Sequence, residues 1–461
     1  MRPACCRKAM NRSGRLACLI LLFSSLGMAG EPPIEATREA AMGDLKLLIE
    51  TAKRAWAYAD DKRENFGVDL DHLNTLAASQ IRNCRDKGEA FEVLRSVVAG
   101  LKEGHASLRL RDQNPPAGTG RIKGRFCGTR EGLVYEKQLV LQWNGRNVQE
   151  ELESLTKRAY ASTPGMARRL AIQQLAYGPL NRTIRVKLKS ASGPEMEQVL
   201  RYEPESETEL PPLELRWPDK EIAHLAIRTF DVRRSTWGVK TDGPVNPSGL
   251  PASAVEEVKR RISDAFKKCD GARALILDLR GNQGGSDSIG SHVALHLLAG
   301  DFCYFKLQTR YSPEVKKIAG FEDSPDSGWS RLDDGWKPPR PPSIKPFEGL
   351  VWILADELCF STTDNLLACL RDLLPRERAR FLGRRSGGGT GAPRQIVTLP
   401  FTGAQLTFCV MKVYSPRGRL IEGRGTIPDR EIVWTWKDIV QDKDPDLEAA
   451  FEEALARLRR S

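Results

Sequence analysis

Three stretches of this sequence combine residue types that can move a proton or hold a developing charge. "LKEGHASLRL" (101–110) places His105, one of five histidines in 461 residues, directly after a glycine at the end of an apolar-periodic run. An imidazole with an ordinary pKa of about 6.5 can both accept and return a proton near neutral pH. "LVWILADELCFSTTDNLLACL" (350–370) sets Ser361 on a turn between an apolar strand-like run and a helical one. A serine there commonly caps the helix, and Ser361 with Asp364 has the S-x-x-D spacing of a cap. A hydroxyl on such a turn is also well placed as a nucleophile, because the helix dipole and the next N–H favour a developing oxyanion. "ALILDLRGNQGGSDSIG" (274–290) runs from a continuous apolar strand into a glycine-rich loop. Its glycines, Gly281, Gly284 and Gly285, match neither GxxxxGK[ST] nor GxGxxG, so nucleotide binding is not indicated. Bare backbone N–H groups in such a loop could instead form an oxyanion site, which needs donors and no lysine. A fourth candidate, Glu422, lies between glycine turns in "YSPRGRLIEGRGTIPD" (414–429). It could orient an imidazole or be a solvated loop carboxylate.

These residues need elements to hold them. Residues 31–112 carry apolar positions every three or four residues, as in "FEVLRSVVAGL", and read as mostly helical. "DQNPPAGTG" (112–120) reads as a linker. Residues 121–208 alternate strand-like runs with one helical stretch, "MARRLAIQQLA". From about 216 the pattern becomes strand, loop, helix, repeated, which predicts an α/β layered core. Two long irregular segments, 233–251 and 312–346, interrupt it as binding loops or as solvated insertions.

Composition narrows the setting. Residues 1–29 read as a secretory signal: Arg2, Arg7, Lys8, Arg12 and Arg15 precede the apolar "LACLILLFSSL", and small residues follow. The apolar run is short of the roughly 20 residues that span a bilayer. The precursor's net charge is +11; without those five basic residues, 66 basic against 60 acidic residues leave +6. No basic cluster interleaved with aromatics points to nucleic acid. Seven cysteines follow the signal (84, 127, 269, 303, 359, 369 and 409), none with CxxC spacing, so zinc is not suggested. Export permits disulfides, but an odd count leaves at least one thiol unpaired within the chain.

In order, "DLRGNQGG", "ADELCFSTTDNLLACLRD", "GRRSGGGTG" and "YSPRGRLIEGRGTIPD" resemble the motifs of the carboxyl-terminal processing (tail-specific) serine peptidase family. The resemblance covers roughly 216–435, and "FEVLRSVVAGLKEGHASL" extends it backwards. One branch of the family uses a Ser–Lys dyad. Here Gly389 stands at the lysine's position, no lysine occurs between Phe381 and Met411, and Lys412 reads as a strand residue. The chain instead resembles the tricorn and interphotoreceptor retinoid-binding protein branch, whose histidine comes early. That resemblance implies Ser361 as nucleophile, His105 as general base, Glu422 as the orienting acid, and N–H groups of Gly284 or Gly285 with Thr362 as the oxyanion hole. It implies no metal and no organic cofactor.

The chain departs from the family pattern in three places. Gly104 replaces a serine before the histidine, Leu358, Cys359 and Phe360 replace small residues before the nucleophile, and Asp364 replaces a glutamate after it. The implied fold is α/β, a ClpP/crotonase-like layered core with an N-terminal helical region and a PDZ-like insert. Its expected divisions are a signal peptide (1–29), the histidine-bearing helical region (30–113), the PDZ-like domain (114–208), the peptidase core (209–435) and a helical tail (436–461). The implied function is an exported endopeptidase, periplasmic or secreted, acting on protein or peptide substrates. The alternative is an inactive binding protein on the same fold, holding a peptide or apolar ligand in its cleft.

Overall fold

The computed structural model describes residues 34–110, 118–204, 210–242, 244–245, 249–318 and 320–460. The expected signal peptide (1–29) and most of the expected linker lie outside the described residues.

The core is a six-stranded sheet with the order Leu213–Asp219, Ile222–Ile227, Ala274–Asp278, Leu350–Ala355, Ala379–Gly383 and Arg430–Glu431. The first pair is antiparallel and the others are parallel. Ala274–Asp278 is central and wholly buried, as its unbroken apolar run requires of a strand covered on both faces. Alternation sends Leu275 and Leu277 to one face and Ala274 and Ile276 to the other.

Four helices come first among the described residues: α1 (Ile34–Ala55), α2 (Ala59–Phe66), α3 (Leu70–Ile81) and α4 (Lys87–Gly100). Asp69 and Asp86 cap α3 and α4, accepting from N–H groups of the first turn. The next helices are α5 (Val148–Lys157) and α6 (Pro164–Leu175), which pack on a sheet formed by residues 119–203. Within the core, α7 (Ala252–Lys267), α8 (Asp287–Leu295) and α9 (Thr362–Leu373) cover one face of the six-stranded sheet. The chain ends in α10 (Trp436–Val440) and α11 (Pro445–Leu458), and α11 covers the other face through Ala450, Ala454 and Leu458. Its base is tied to the central strand by a partly buried ion network in which Arg280 pairs with Asp278, Asp444 and Asp446.

A smaller sheet brings distant segments together. Ser107–Leu110 pairs antiparallel with Ala404–Cys409, Ser107 opposite Thr407, and buries Leu108 with Phe408 against α1, α3 and α4. This pairing carries the segment just after α4 across to the far end of the sequence.

Described residues of both irregular segments pack against the body of the protein. Trp237 in the first is 1% exposed within the core, and Val315 and Ile344 anchor the second. All seven cysteines among the described residues are free thiols. No helix among them is long and apolar enough to cross a membrane.

Candidate active site

Three loops meet at the carboxyl ends of the parallel strands, the edge where open α/β sheets gather ligands. The first follows Ala274–Asp278. In it, Asn282 is fully buried, donates to the Ile227 carbonyl and accepts the Gly284 N–H at 2.9 Å. The second follows Leu350–Ala355 and carries Ser361. The third, Ser386–Thr390, follows Ala379–Gly383.

Ser361 sits at the N-cap position of α9, yet its side chain caps nothing. Its backbone has φ 58° and ψ −123°, a region costly for a residue with a Cβ. The surroundings hold it there: its N–H donates to Gly389 O at 2.7 Å, and Phe360 N–H donates to Asn282 O. The strained turn aims Oγ at His105 Nε2, 3.2 Å away across 256 residues of sequence. Asp364 does not close a capping box either. It accepts from Ser386 Oγ and from Gly389 N–H, so it ties the third loop to α9. Burial pushes its carboxyl up to about 8.

His105 arrives on the turn between α4 and Ser107–Leu110. Lys102 turns the chain at φ 54°, and Gly104 N–H donates to Ser162 Oγ. Burial pushes the imidazole down to about 4, so it is neutral at pH 7. The residue as a whole is half-buried, so water on its open side moderates that shift. Its Nδ1 is enclosed and has no hydrogen-bond partner among the described residues.

Glu422 is also fully buried, but its carboxylate is engaged elsewhere. Oε1 pairs with Lys62 Nζ at 2.8 Å and Oε2 accepts Thr390 N–H at 3.1 Å; no hydrogen bond runs to His105. Lys62, itself fully buried, donates also to the Lys102 carbonyl, three residues before the histidine. Glu422 therefore reaches the histidine loop through a lysine.

A further buried acid, Glu103, has a carboxylate oxygen within 4.8 Å of an imidazole nitrogen. It is 1% exposed and accepts from Trp56 Nε1 and from Cys409 N–H. Burial first, and the Glu422 charge second, raise it to about 7. Glu103 and Lys62 escaped the sequence reading. The spacing of Glu103 to His105 was a usable signal, whereas Lys62 sits in the ordinary charged run "ADDKRENF".

Among the expected oxyanion donors, Gly284 N–H is already committed to Asn282. Those of Gly285 and Thr362 find no acceptor among the described residues. Gly284 nonetheless needs to be glycine: at φ 93° it lies against Ser361, and a Cβ would come within 2.9 Å of Ser361 Cβ and of Thr362 N.

The bulky Phe360 fits because its neighbours are glycines. Its ring lies 4.4 Å from the imidazole, centroid to centroid, and a Cβ on Gly389 or Gly104 would fall 1.6 or 2.6 Å from ring atoms. The absence of a serine at 104 and of a lysine at 389 thus accompanies the phenylalanine at 360. Lys412 lies on Met411–Tyr414 with Nζ over the Trp329 ring.

Residues 222–432 match the family model described as Peptidase family S41. Among solved structures, mature CPAF complexed with lactacystin is similar over 91% of this chain and 98% of its own, at 15% identity and a TM-score of 0.68. Mature CPAF alone is similar over 88% and 94%, at 16% identity and a TM-score of 0.63. At such identities the likeness is one of fold. No curated protein matches the chain in sequence.

Proposed function

We propose that the chain, whose residues 222–432 match the model of peptidase family S41, is a serine-type peptidase that cleaves peptide bonds through an acyl-enzyme on Ser361, with His105 as general base. The observation that carries this reading is the 3.2 Å contact between Ser361 Oγ and His105 Nε2, made at a strained turn.

Oγ attacks the substrate carbonyl while its proton passes to Nε2, which burial keeps unprotonated at neutral pH. The uncommitted N–H groups of Thr362 and Gly285 receive the oxyanion; one such donor contributes about 10²–10³ in rate. Collapse expels the amine with the proton from Nε2 and leaves an ester on Ser361. Water then repeats the sequence, giving its proton to His105 and releasing the acid.

Glu422 serves as a positioning residue. Through Lys62 it braces the turn at Lys102, and through Thr390 it braces the loop whose Gly389 carbonyl holds Ser361 N–H. The unit 118–204 serves as a PDZ-like module that adds a substrate segment as a strand. Supporting this, among the described residues Glu195–Glu203 has a strand neighbour on its outer edge only near Tyr202 and Glu203. The basic and apolar composition of 1–29 supports export of the enzyme.

A fluorophosphonate probe applied to the purified protein tests the reading. Labelling should occur in the wild type, vanish in Ser361→Ala and fall by orders of magnitude in His105→Ala with folding intact. Equal labelling of Ser361→Ala would overturn it.

A further inference from the structure

The general base has a second face that the proposed reaction leaves unused. Nε2 of His105 is turned to Ser361, so the nitrogen open to another partner is Nδ1, enclosed and without a hydrogen bond among the described residues. Beside the ring lie two more donors. A carboxylate oxygen of Glu103, Sγ of Cys409 and a ring nitrogen of His105 are all within 4.8 Å of one another. The Glu103 oxygens accept Trp56 Nε1 and Cys409 N–H, one each, and the Cys409 thiol as well; a carboxylate offers about four lone-pair sites, so one remains for a metal. The Cys409 thiol makes a long contact, 3.9 Å, to the Thr390 carbonyl and faces the Glu103 carboxyl, to which it donates. Glu103 lacks a basic hydrogen-bonding partner, whereas Glu422 is paired with Lys62.

We propose that Glu103, His105 and Cys409 form an inhibitory site for a thiophilic divalent cation, of which Zn²⁺ is the prototype. One nitrogen, one sulfur and one carboxylate oxygen suit zinc, which takes such ligands at about 2.0–2.3 Å in a tetrahedron and leaves a fourth position for water. Tetrahedral donors stand roughly 3.5 Å apart, so closing the site asks for a contraction of about 1 Å. The hard cations Mg²⁺ and Ca²⁺ prefer all-oxygen sets and do not suit it.

On binding, the Zn–S bond forms as the S–H bond breaks, and that proton leaves to solvent. The Zn–N bond forms at Nδ1 as its N–H bond breaks, and that proton is taken up at Nε2. A neutral imidazole holding metal on one nitrogen carries its proton on the other, so Nε2 becomes N–H. It then donates to Ser361 Oγ and cannot take the hydroxyl proton. The ion disables the base without touching the nucleophile.

The inhibitory consequence rests on the proposed roles of Ser361 and His105; the binding does not, and the test separates the two. Zinc is titrated into the purified protein. Bound metal per chain is measured after dialysis, and the fluorophosphonate labelling rate is measured in parallel. One tightly held zinc per chain is expected, with labelling slowed at least tenfold, restored by a chelator and unaffected by Mg²⁺. In Cys409→Ala, or in Cys409→Ser where alanine lowers the melting temperature, the bound zinc should be lost and labelling should no longer respond to it. No zinc retained by the wild type would overturn the proposal. So would zinc retained equally by the cysteine variants, which would place it elsewhere, for example at His292 and His296. Zinc held through Cys409 with labelling unchanged would also overturn it. A wild type that never labels in metal-free buffer would defeat the enzymatic reading and leave the metal count to decide the site.

Discussion

The low basicity of His105 gives the most direct test of how the site works. Burial pushes the imidazole from its ordinary value near 6.5 down to about 4. If Nε2 is the base, the acid limb of the reaction follows this titration. At pH 5.5 a base with a pKa of about 4 is about 97% unprotonated, whereas one at 6.5 would be about 9%. The second-order rate of fluorophosphonate labelling at Ser361 should therefore change little between pH 7.5 and 5.5 and halve only near pH 4 to 5. An ordinary histidine would lose about tenfold over the same interval. The probe has no titrating leaving amine, so its profile reports the free enzyme. An acid limb with its midpoint above about pH 6 would refute the reasoning, because it would mean that the ring is well hydrated or has gained a counter-charge on Nδ1. The same shift bears on folding. Between about 4 and 6.5 the folded state binds fewer protons than the unfolded chain. The stabilisation is therefore full above 6.5 and is lost as pH falls through that window, by at most about 3 kcal/mol.

Three further outcomes follow from the packing around the site. Lys62→Met leaves Glu422 buried without its cation and should cost about 3–5 kcal/mol, read as a lower thermal midpoint, with much of the loss recovered in Lys62→Met/Glu422→Gln; an unchanged midpoint would contradict the buried pairing. Gly389→Ala should slow labelling strongly, since its Cβ would lie 1.6 Å from the Phe360 ring, and Phe360→Ala in the same chain should restore it; a fully active single variant would discredit this packing account. Ser361→Gly should melt above Ser361→Ala, because glycine relieves about 1–3 kcal/mol of backbone strain against an entropic cost of about 0.5–1 kcal/mol; the reverse order would show that the turn is unstrained.

Much of the scaffold was legible because burial writes itself into residue order. The unbroken apolar runs of Ala274–Asp278 and Leu350–Ala355 can only be strands covered on both faces, and the helix-period pattern of α7 leaves one stripe to cover them. Ser361 and His105 stood out because a glycine-adjacent imidazole and a turn serine lie beside recognisable motifs. The cap suggested by Ser361 and Asp364 did not form, because the third loop competes for both residues: Gly389 supplies an acceptor for Ser361 N–H and a donor to Asp364. Local spacing carries no record of that loop.

The chain order by itself determined the layered core, the nature of the hydroxyl and the imidazole, and the lack of a lysine near the serine turn, because these depend on periodicity and residue type. Folding decided which groups touch. It committed Glu422 to Lys62 and Thr390, set Glu103 and Cys409 beside the histidine, and spent the Gly284 N–H on Asn282. Those outcomes depend on the pairing of Ser107–Leu110 with Ala404–Cys409 and on which buried carboxylate meets a buried cation first. Hydrogen bonds and ion pairs act over a few ångströms between segments hundreds of residues apart, and no local pattern in a sequence encodes such a distance.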